Sequence, residues 1–448
     1  MRFLQCKILL QALDCNILAS MVDVQMVRDN PDKFKEAVAA KQKNPSLVDE
    51  VLKADGEWKR LLQQIEQLRA KRNEIAKLGK ASDEGKQVKN QLKDLEPKLG
   101  EVEKKFKEAL NKIPNLISED TPTGKDESEN KVVRSWGEPT KFDFKPKDHL
   151  KLGIALGMIN TKKAGDISGS RFGYLLGDIA RTEFALVQFA FDTLTNTETL
   201  RKILEPVDKD YSTKAFVPVV PPVMMKPEVM AKMARLEPKE ERYYIPQANL
   251  YLIGSAEHTL GPLHMDETLK EKDLPIRYVG FSTSFREEAG SYGKDTQGIL
   301  RMHQFDKVEM ESFTDSDNGM KEQDFFVAIQ EYLMQSLGLP YQVVQICSGD
   351  MGGPDYRQID LETWMPGQDK YRETHTSDYM TDYQSRRLNT KVQRAGRTEF
   401  AHMNDATALA IGRTIIAIME NYQQEDGSIV IPEVLQKWMG KDRITLRK

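Results

Sequence analysis

The sequence predicts an α+β protein, in which an N-terminal antiparallel helical coiled-coil arm precedes a domain built on an antiparallel β-sheet flanked by helices. Three observations predict this fold: two heptad runs joined by a short polar interval, a later alternation of strand-like and helix-like segments, and the lack of a glycine-rich phosphate loop after any strand-like segment. The last observation counts against Rossmann and P-loop folds. Because 448 residues exceed what one hydrophobic core usually organises, two domains are expected.

The composition is that of a soluble globular protein with a highly charged surface, with 39% hydrophobic and 30% charged residues. Since the formal net charge is −4, any nucleic-acid surface must be local. The three cysteines, Cys6, Cys15 and Cys347, are too few for a disulfide framework and lack the spacing of a zinc site. No stretch approaches the roughly 20 apolar residues of a membrane helix. These features predict a cytoplasmic protein with no membrane segment.

Residues 1–20 are interpreted as an N-terminal extension that is not part of the fold. They are mildly apolar, but Lys7 and Asp14 interrupt them, which disfavours the alternative of a signal peptide. The folded protein is expected to begin near Met21.

Heptad spacing predicts a helical hairpin over about residues 47–113. Apolar or small residues recur in steps of three and four from Val51 to Ile75, and again from Val88 to Ile113. Two such runs joined by a short turn fold back as antiparallel arms of roughly 40 Å. Pro97 interrupts the second run, where it is expected to kink the helix or remove a hydrogen bond.

Basic residues concentrate around the turn of this hairpin, against only Glu74, Asp83 and Glu84 in the same stretch. The basic residues are Arg69, Lys71, Arg72, Lys77, Lys80, Lys86, Lys89 and Lys93. One interpretation is contact with a phosphate backbone, and the other is a dimerisation or spacer coiled coil with solvated charges. After the hairpin, a turn-rich segment without apolar period places the boundary between the two predicted domains, 21–130 and 131–448.

A second segment could hold phosphate without a P-loop. Phe285–Met310, FREEAGSYGKDTQGILRMHQFDKVEM, combines a strand end, a glycine-rich turn and a second strand, and would carry Arg286, Arg301 and Glu309 on neighbouring strands. The planar fork of arginine binds phosphate or carboxylate oxygens at two points. An ordinary charged hairpin would have the same composition, so these residues alone leave both interpretations open.

Three segments, in this order, resemble the motifs of class II aminoacyl-tRNA synthetases. Phe216–Met225 resembles motif 1, whose strand builds the dimer interface, Phe285–Met310 is very similar to motif 2 in its seryl version, and Ala410–Leu435 resembles motif 3. Ser168–Ala190 and Gly338–Gly353 also look like the core of the seryl-tRNA synthetase family. The same holds for Trp364–Glu373 and for the start, Met21–Pro31. The resemblance covers the chain except residues 1–20.

This resemblance implies a class II catalytic domain on an antiparallel sheet and the activity of a serine–tRNA ligase. Such an enzyme activates L-serine with ATP to seryl-adenylate and transfers serine to the 3′ end of serine tRNA, with selenocysteine tRNA as a further candidate acceptor. It implies ATP as substrate, Mg²⁺ as cofactor, no zinc, a homodimer, and tRNA binding by the coiled-coil arm through the eight basic residues of its tip.

The resemblance also implies the site residues. Catalytic roles fall to Arg286, Glu288 and Arg413. ATP would contact Arg286, Glu287, Glu288, Met302, Phe305, Glu373, Thr374, His375, Thr376 and Arg413, with Mg²⁺ on Glu373 and Thr376. Serine would contact Ser255, Ala256, Glu257, Arg286, Glu309, Asp405 and Thr407. In these sets Glu257 takes the ammonium group, Glu309 the hydroxyl, Arg286 the α-phosphate and the carboxylate, and Arg413 the γ-phosphate.

Some positions depart from the sequence that is usual in the family. Ser255 stands where threonine is common, the segment Thr374–Tyr379 is bulkier and carries His375 and Asp378, and Asp405-Ala-Thr407 replaces Asn-Gly-Ser. Asp405 exchanges a neutral amide for a carboxylate beside the amino acid. Either a local arginine (Arg386, Arg387 or Arg413) pairs with it, or it alters the pocket.

Two alternative functions are a paralogue that adenylates an amino acid for a non-tRNA carrier, and a non-catalytic synthetase-like binding protein. Relatives of the first kind tend to lack the helical arm, and those of the second kind lose the ATP-binding arginines. The hairpin and the presence of Arg286 and Arg413 favour the ligase. The remaining histidines are expected to be structural, because His149, His258, His264, His303 and His402 lack metal-ligand spacing.

Overall fold

The computed structural model describes residues 22–77, 82–288 and 298–446. The predicted extension 1–20, Lys80 of the arm and the turn 289–297 therefore lie outside the described residues. The chain divides into two compact units, the first ending at Ile117 and the second beginning at Ser118. Residues 118–130, which the sequence analysis grouped with the first domain, bond within the second unit: Ser118 N–H donates to the Tyr356 carbonyl at 2.9 Å, and Asn130 Nδ2 to Asp350 at 2.8 Å.

The first unit consists of helices. They are α1 (Val24–Asp29), α2 (Pro31–Ala40), α3 (Ser46–Lys77) and α4 (Asp83–Leu110). Side chains cap the N-termini of two of these helices. The Asp23 carboxylate accepts a hydrogen bond from the backbone N–H of Gln25 in α1, and the Ser82 hydroxyl accepts one from the backbone N–H of Gly85 in α4.

Helices α3 and α4 form the predicted hairpin, and the heptad seam is the surface along which they pack. Ile65, Val88 and Leu92 are buried between them, and Leu68 and Leu95 pack against this cluster. Helix α4 runs through Pro97 without ending there. The predicted antiparallel arm is confirmed, and those basic residues of its tip that the structure describes are exposed.

The second unit contains the strands and the remaining helices. Its strands are β1 (Lys131–Trp136), β2 (Ile159–Asn160), β3 (Tyr174–Leu175), β4 (Val217–Val219), β5 (Met224–Met225), β6 (Tyr244–Ile245), β7 (Leu250–Leu252), β8 (Thr268–Lys270), β9 (Ile276–Phe285), β10 (Gln304–Thr314), β11 (Tyr341–Gln345), β12 (Arg357–Met365), β13 (Lys370–Tyr379), β14 (Lys391–Arg394), β15 (Arg397–Phe400), β16 (His402–Ala410), β17 (Ile429–Val430) and β18 (Arg443–Ile444). Its helices are α5 (His149–Ala155), α6 (Thr161–Ser168), α7 (Gly177–Leu194), α8 (Thr197–Asp208), α9 (Pro227–Lys232), α10 (Glu257–Leu260), α11 (Gly319–Ser336), α12 (Tyr383–Leu388), α13 (Ile411–Asn421) and α14 (Glu433–Met439).

Eight strands build the main sheet, in the order β1-β11-β12-β13-β16-β10-β9-β4. All neighbours pair antiparallel except the edge pair β4 and β9, which is parallel. Helices α7, α11 and α13 pack on this sheet and supply much of its large apolar core, including Leu186, Phe326 and Ile415. This is the predicted α+β domain with an antiparallel sheet flanked by helices. Within the described ranges, no helix is both long and apolar enough to cross a membrane.

Candidate active site

A cavity of about 240 Å³ lies among the middle strands of the main sheet. Its lining residues come from β10, β13 and β16, from the segments flanking the turn between β9 and β10, and from the start of α13. One further residue comes from the loop after α9 and one from the start of α10. The strands β9 and β10 are those predicted on either side of the glycine-rich turn, and they pair antiparallel, with Phe285 opposite Gln304. The sheet therefore brings side chains from distant parts of the sequence into one pocket.

Arg286 lines the cavity where the chain leaves β9. Its Nε donates to the Gly254 carbonyl at 3.1 Å, and its guanidinium carbon lies 5.4 Å from the centre of the Phe305 ring. Its backbone N–H donates to the His303 carbonyl at 3.0 Å. These contacts fix the guanidinium in place. It is therefore suited to bind phosphate or carboxylate oxygens, because little conformational entropy of the side chain is lost when they bind.

Glu288 and Glu287 point in different directions after this strand. Glu288 has a left-handed backbone with φ of 49°, lines the cavity, and pairs with Arg301 at 3.4 Å between Oε2 and Nη1. Glu287 instead contacts Tyr243, where burial and the Glu287 carboxylate raise the pKa of the phenol to about 12. Of the two carboxylates, only Glu288 belongs to the cavity.

Arg413, in the first turn of α13, binds Glu373 of β13. Its Nη1 lies 3.0 Å from Glu373 Oε1 and donates to the Glu373 carbonyl at 2.8 Å. Burial by itself would raise the pKa of the Glu373 carboxyl, but Arg413 above all, with Arg286 and Lys307, holds it below its usual value. Glu373 is therefore an anion placed between cationic side chains.

A β-bulge in β13 explains why Glu373 and Thr376 line the same cavity. Strict alternation would put residues an odd number apart on opposite faces of the sheet. The register between β12 and β13 shifts between Leu361 and Glu362, so that Thr374 is the extra residue of the bulge. Glu373, Thr374 and Thr376 all reach the cavity as a result, and the Thr376 hydroxyl donates to Glu373 Oε1 at 3.5 Å.

Glu309 of β10 is a buried carboxylate with two neighbours that bind the same oxygen. The Ser255 hydroxyl donates to its Oε2 at 3.1 Å, and Lys307 Nζ lies 2.5 Å from that oxygen. Burial lowers the pKa of Lys307 to about 8. The arrangement fixes a hydrogen-bond acceptor at the wall of the cavity.

Glu257, at the start of α10, is paired with Arg235, whose Nε lies 2.9 Å from Glu257 Oε1. Burial opposes ionisation of Glu257, but Arg235 first and then Lys307 hold the pKa of its carboxyl far below the usual value. His258 accepts a hydrogen bond from the Gly254 N–H at Nδ1, and burial lowers its pKa to about 3, so that the ring is neutral. The negative charge at this end of the cavity thus belongs to Glu257.

Three carboxylates form a row across the sheet at this end. Asp405 of β16 lies directly opposite Glu311 of β10 on one side and Asp378 of β13 on the other, and all three are buried. Arg235 Nη2 lies 3.2 Å from Asp405 Oδ2 and 3.8 Å from Asp378 Oδ2. Burial, together with the neighbouring carboxylates, raises the pKa of both aspartates, and Arg235 acts against this shift because its charge favours their ionised form.

The three arginines considered as partners of Asp405 each have another partner. Arg386 pairs with Asp382 at 2.7 Å, Arg387 donates to the Ala231 carbonyl, and Arg413 binds Glu373. The cation beside Asp405 is Arg235. Its loop follows α9 far away in the sequence, which is why proximity along the chain suggested other arginines.

Within the described ranges, one group of three side chains has the spacing to hold a metal ion. The ligand atoms of Glu257, Glu309 and Asp405 lie within 4.8 Å of one another. Arg235 and Lys307 form ion pairs with oxygens of these carboxylates, so the group is already partly neutralised by side chains of the chain itself.

Known proteins are similar to this chain over nearly its whole length. Residues 21–117 match the family model described as the seryl-tRNA synthetase N-terminal domain, and residues 242–422 match that of the tRNA synthetase class II core domain (G, H, P, S and T). A serine–tRNA ligase of Fervidobacterium nodosum is 38% identical over 95% of this chain and 99% of its own length. The chain belongs to the seryl-tRNA synthetase family. The predictions of the family, the fold class and an ATP-dependent ligase activity are thereby confirmed.

Solved structures of seryl-tRNA synthetases extend the match to the fold. That of Pyrococcus horikoshii complexed with ATP has a TM-score of 0.87 and 35% identity, and covers 95% of this chain and 100% of its own. The cytoplasmic serine–tRNA ligase of Naegleria fowleri in complex with AMP has a TM-score of 0.82 and 31% identity, with coverages of 95% and 99%. Both of these structures are complexes with an adenine nucleotide.

The synthetase cavity gathers most of the residues that the sequence predicted for it. Those that line it are Arg286, Glu288, Met302, Phe305, Glu373, Thr374, Thr376, Arg413, Glu257, Glu309, Asp405 and Thr407. Ser255 and Ala256 are buried behind it, and Ser255 reaches it through Glu309. Glu287 and His375 are not among the lining residues. His375 bonds to Thr374 at 2.9 Å, and burial lowers its pKa to about 3.

Two charged residues that line the cavity were not predicted from the sequence. Lys307 lies two positions before Glu309 on the same strand, and since alternate residues share a face, that spacing could have identified it. Arg235 lies in a loop without periodicity, and its charge partners come from three other segments. No signal in the sequence around it points to the cavity.

Proposed function

We propose that the chain activates L-serine with ATP to seryl-adenylate and then transfers serine to the 3′ end of serine tRNA. The observation that supports the proposal is that two arginines, Arg286 and Arg413, and two carboxylates, Glu257 and Glu309, line the same cavity. Arginines match the oxygens of ATP and of the serine carboxylate, and carboxylates match the ammonium and hydroxyl groups of serine. The complex of the Pyrococcus horikoshii relative with ATP supports the choice of nucleotide.

In the first step, an oxygen of the serine carboxylate attacks the α-phosphorus of ATP and pyrophosphate leaves. In the second step, a ribose hydroxyl of the tRNA attacks the carbonyl carbon of the adenylate and AMP leaves. Neither step needs a nucleophilic side chain, so catalysis rests on positioning and on charge stabilisation. Arg286 contacts the α-phosphate and the serine carboxylate, Arg413 the distal phosphates, and Met302 and Phe305 the adenine.

Mg²⁺ fits the donor set around Glu373. The Glu373 carboxylate and the Thr376 hydroxyl are oxygen ligands, which this ion prefers, and both line the cavity. When bound, Mg²⁺ neutralises phosphate charge. The chain's own part is to hold Glu373 ionised, which Arg413 above all achieves, and to turn it toward the cavity, which the bulge at Thr374 achieves.

Selectivity for serine rests on Glu309. Its Oε2 accepts from Ser255 and contacts Lys307, so the carboxylate is fixed before the substrate arrives. An amino acid without a hydroxyl leaves this buried acceptor with one partner fewer, which costs about 1–3 kcal/mol. Glu257 takes the ammonium group of the substrate.

The helical arm binds tRNA through one of its two faces. Arg72, Lys86, Lys89 and Lys93 line a shallow groove on what we call the basic face. A second groove, on what we call the neutral face, contains Gln64, Gln67 and Gln91. Arg69 and Lys71 are partly neutralised, since they pair with Glu96 at 2.8 Å and Glu84 at 2.7 Å. The basic face is therefore the better match for a phosphate backbone.

The enzyme acts as a homodimer in the cytoplasm. Support for the dimer comes from β4, the edge strand of the main sheet that corresponds to motif 1, where Val217 and the following Val220 are exposed by 54% and 87%. Exposed apolar side chains along an unpaired strand edge are suited to contact with a second copy. ATP and tRNA, the substrates of the proposed reaction, are both present in the cytoplasm.

ATP–pyrophosphate exchange with the purified full chain tests the adenylation step, offering serine, threonine, alanine and glycine separately. Exchange with serine alone, followed by charging of serine tRNA in the presence of Mg²⁺, is the expected result. Exchange with another amino acid but not with serine would exclude the proposed specificity. Exchange without charging of tRNA would instead favour a non-tRNA acceptor.

A further inference from the structure

Arg235 is held in place by its backbone before any substrate binds. Three carbonyls at the end of α9 and in the loop that follows it each accept a hydrogen bond from a side chain: Ala231 from Arg387, Met233 from Gln384 at 2.9 Å, and Arg235 itself from Arg242 at 2.8 Å. Ala234 between them has a left-handed backbone with φ of 56°. This fixed loop directs the guanidinium of Arg235 into the cavity. The Arg235 side chain is 16% exposed there.

The guanidinium lies between the site for the substrate ammonium and the carboxylate row. It reaches Glu257 Oε1 at 2.9 Å, Asp405 Oδ2 at 3.2 Å and Asp378 Oδ2 at 3.8 Å. Since atoms of Glu257, Glu309 and Asp405 lie within 4.8 Å of one another, a side chain bound at Glu309 is also close to Arg235. The second cation, Lys307, lies on the same Glu309 oxygen.

These two cations determine what the acidic end of the cavity accepts. Without them, Glu257, Glu309, Asp378 and Asp405 would attract any amino acid with a positively charged side chain. With Arg235 in place, a bound amino acid brings its ammonium to Glu257, and a second cation on its side chain would face a guanidinium a few ångströms away. Like charges at such distances repel strongly in a partly desolvated site.

We propose that Arg235 is a specificity-determining residue, which excludes amino acids with a cationic side chain by occupying the acidic end of the pocket with a charge of the enzyme's own. This inference rests on the proposed function, because it assumes that amino acids bind at Glu257 and Glu309. Arg235 thereby allows Asp405 and Asp378 to lie beside an amino-acid pocket without changing its preference for an uncharged side chain.

The test compares two inhibitors of serine-dependent ATP–pyrophosphate exchange that differ mainly in charge. Homoserine ends in a hydroxyl, and 2,4-diaminobutyrate has the same chain length and ends in an ammonium group at neutral pH. The wild type should bind homoserine more tightly. In Arg235→Gln, the ratio of the two inhibition constants should shift toward diaminobutyrate by at least about 10-fold.

Two further variants separate charge from structure. The double variant Arg235→Gln/Asp405→Asn removes one charge of each sign, so its ratio should return toward that of the wild type. Asp405→Asn alone should shift the ratio further toward homoserine, which keeps the inference testable if Arg235→Gln does not fold. Arg357→Gln is the matched control, since Arg357 has a side-chain exposure of 14% and pairs with Asp120 and Asp324 outside the cavity.

An unchanged ratio in Arg235→Gln, or in Asp405→Asn where the first variant does not fold, would overturn the inference. Equal ratios in the single and the double variant would show that charge is not the cause, which also overturns it. A wild type that shows no serine-dependent exchange would contradict the proposed function itself. The two failures are therefore distinguishable.

Discussion

Glu311 and Asp405 lie directly opposite each other on β10 and β16, and both are buried. Neither carboxylate oxygen of Glu311 has a hydrogen-bond partner among residues 22–77, 82–288 and 298–446. Burial first, and then the charge of Asp405, raise the pKa of Glu311 well above its usual value. Like charges at opposed positions of a sheet destabilise it. The folded protein therefore holds the Glu311 proton more tightly than the unfolded chain does.

Replacing this group, Glu311→Gln, should stabilise the protein, and more so at high pH. The unfolded chain releases the proton near the ordinary pKa of glutamate, whereas the folded chain releases it only at higher pH, so the stability of the wild type falls as the pH rises between the two values. The amide has no such dependence. Thermal unfolding should show a gain in Tm of a few degrees at about pH 8 and a smaller one at about pH 5. Equal gains at both pH values would contradict this assignment.

Arg413→Ala should weaken the use of ATP. The variant loses a cation that contacts Glu373 and lines the phosphate side of the cavity. By analogy with other groups that stabilise developing charge, kcat/KM for ATP in the exchange reaction should fall by about 100-fold or more. Arg397→Ala, in which an exposed arginine of β15 is removed, should retain wild-type kinetics. A loss of the same size in both variants would point to a general effect on folding.

Glu309→Gln should reduce the preference for serine over alanine. The amide has the shape of the carboxylate but no charge, so it is a weaker acceptor for a hydroxyl and a weaker partner of Lys307. The ratio of kcat/KM for serine and alanine should decrease by about 10- to 100-fold, which corresponds to ~1–3 kcal/mol. Glu240→Gln, at an exposed residue outside the cavity, is the control. A preserved ratio would remove Glu309 from the hydroxyl site.

Charge removal on the basic face of the arm should impair tRNA charging and leave adenylation intact. Changing Arg72, Lys89 and Lys93 to alanine should raise the KM for serine tRNA at least about 10-fold and lower the salt dependence of binding by about one unit for each lost phosphate contact. The matched control changes Gln64, Gln67 and Gln91 on the neutral face. Equal effects of both triple variants on charging would contradict binding through the basic face.

Val220→Asp should disrupt the proposed homodimer. Val220 is 87% exposed next to the edge strand β4, so a carboxylate there has no cost in the single chain but would be desolvated against a second copy. Light scattering should report the mass of one chain for this variant and of two chains for the wild type. Met26→Asp, at an exposed apolar residue of the first unit, should remain dimeric. A wild type that is monomeric would exclude the dimer.

Local pattern was enough to predict the elements that the site depends on. The heptad seam predicted the hairpin because burial between Ile65, Val88 and Leu92 follows directly from the spacing of apolar residues. The hairpin of β9 and β10 followed from two strands flanking a glycine-rich turn, and it positions Arg286 and Glu309. The family resemblance added Arg413, Glu373 and Glu257, each of which lines the cavity.

Only the tertiary structure decided which charges face each other. The partner of Asp405 is Arg235 rather than an arginine nearby in sequence, because the strand pairing of β10, β16 and β13 puts three carboxylates in one row and a distant loop supplies the cation. The bulge at Thr374 likewise decides which face Glu373 occupies. Periodicity records whether a residue is buried, and Coulombic pairing depends on distances between chain segments that no local pattern encodes.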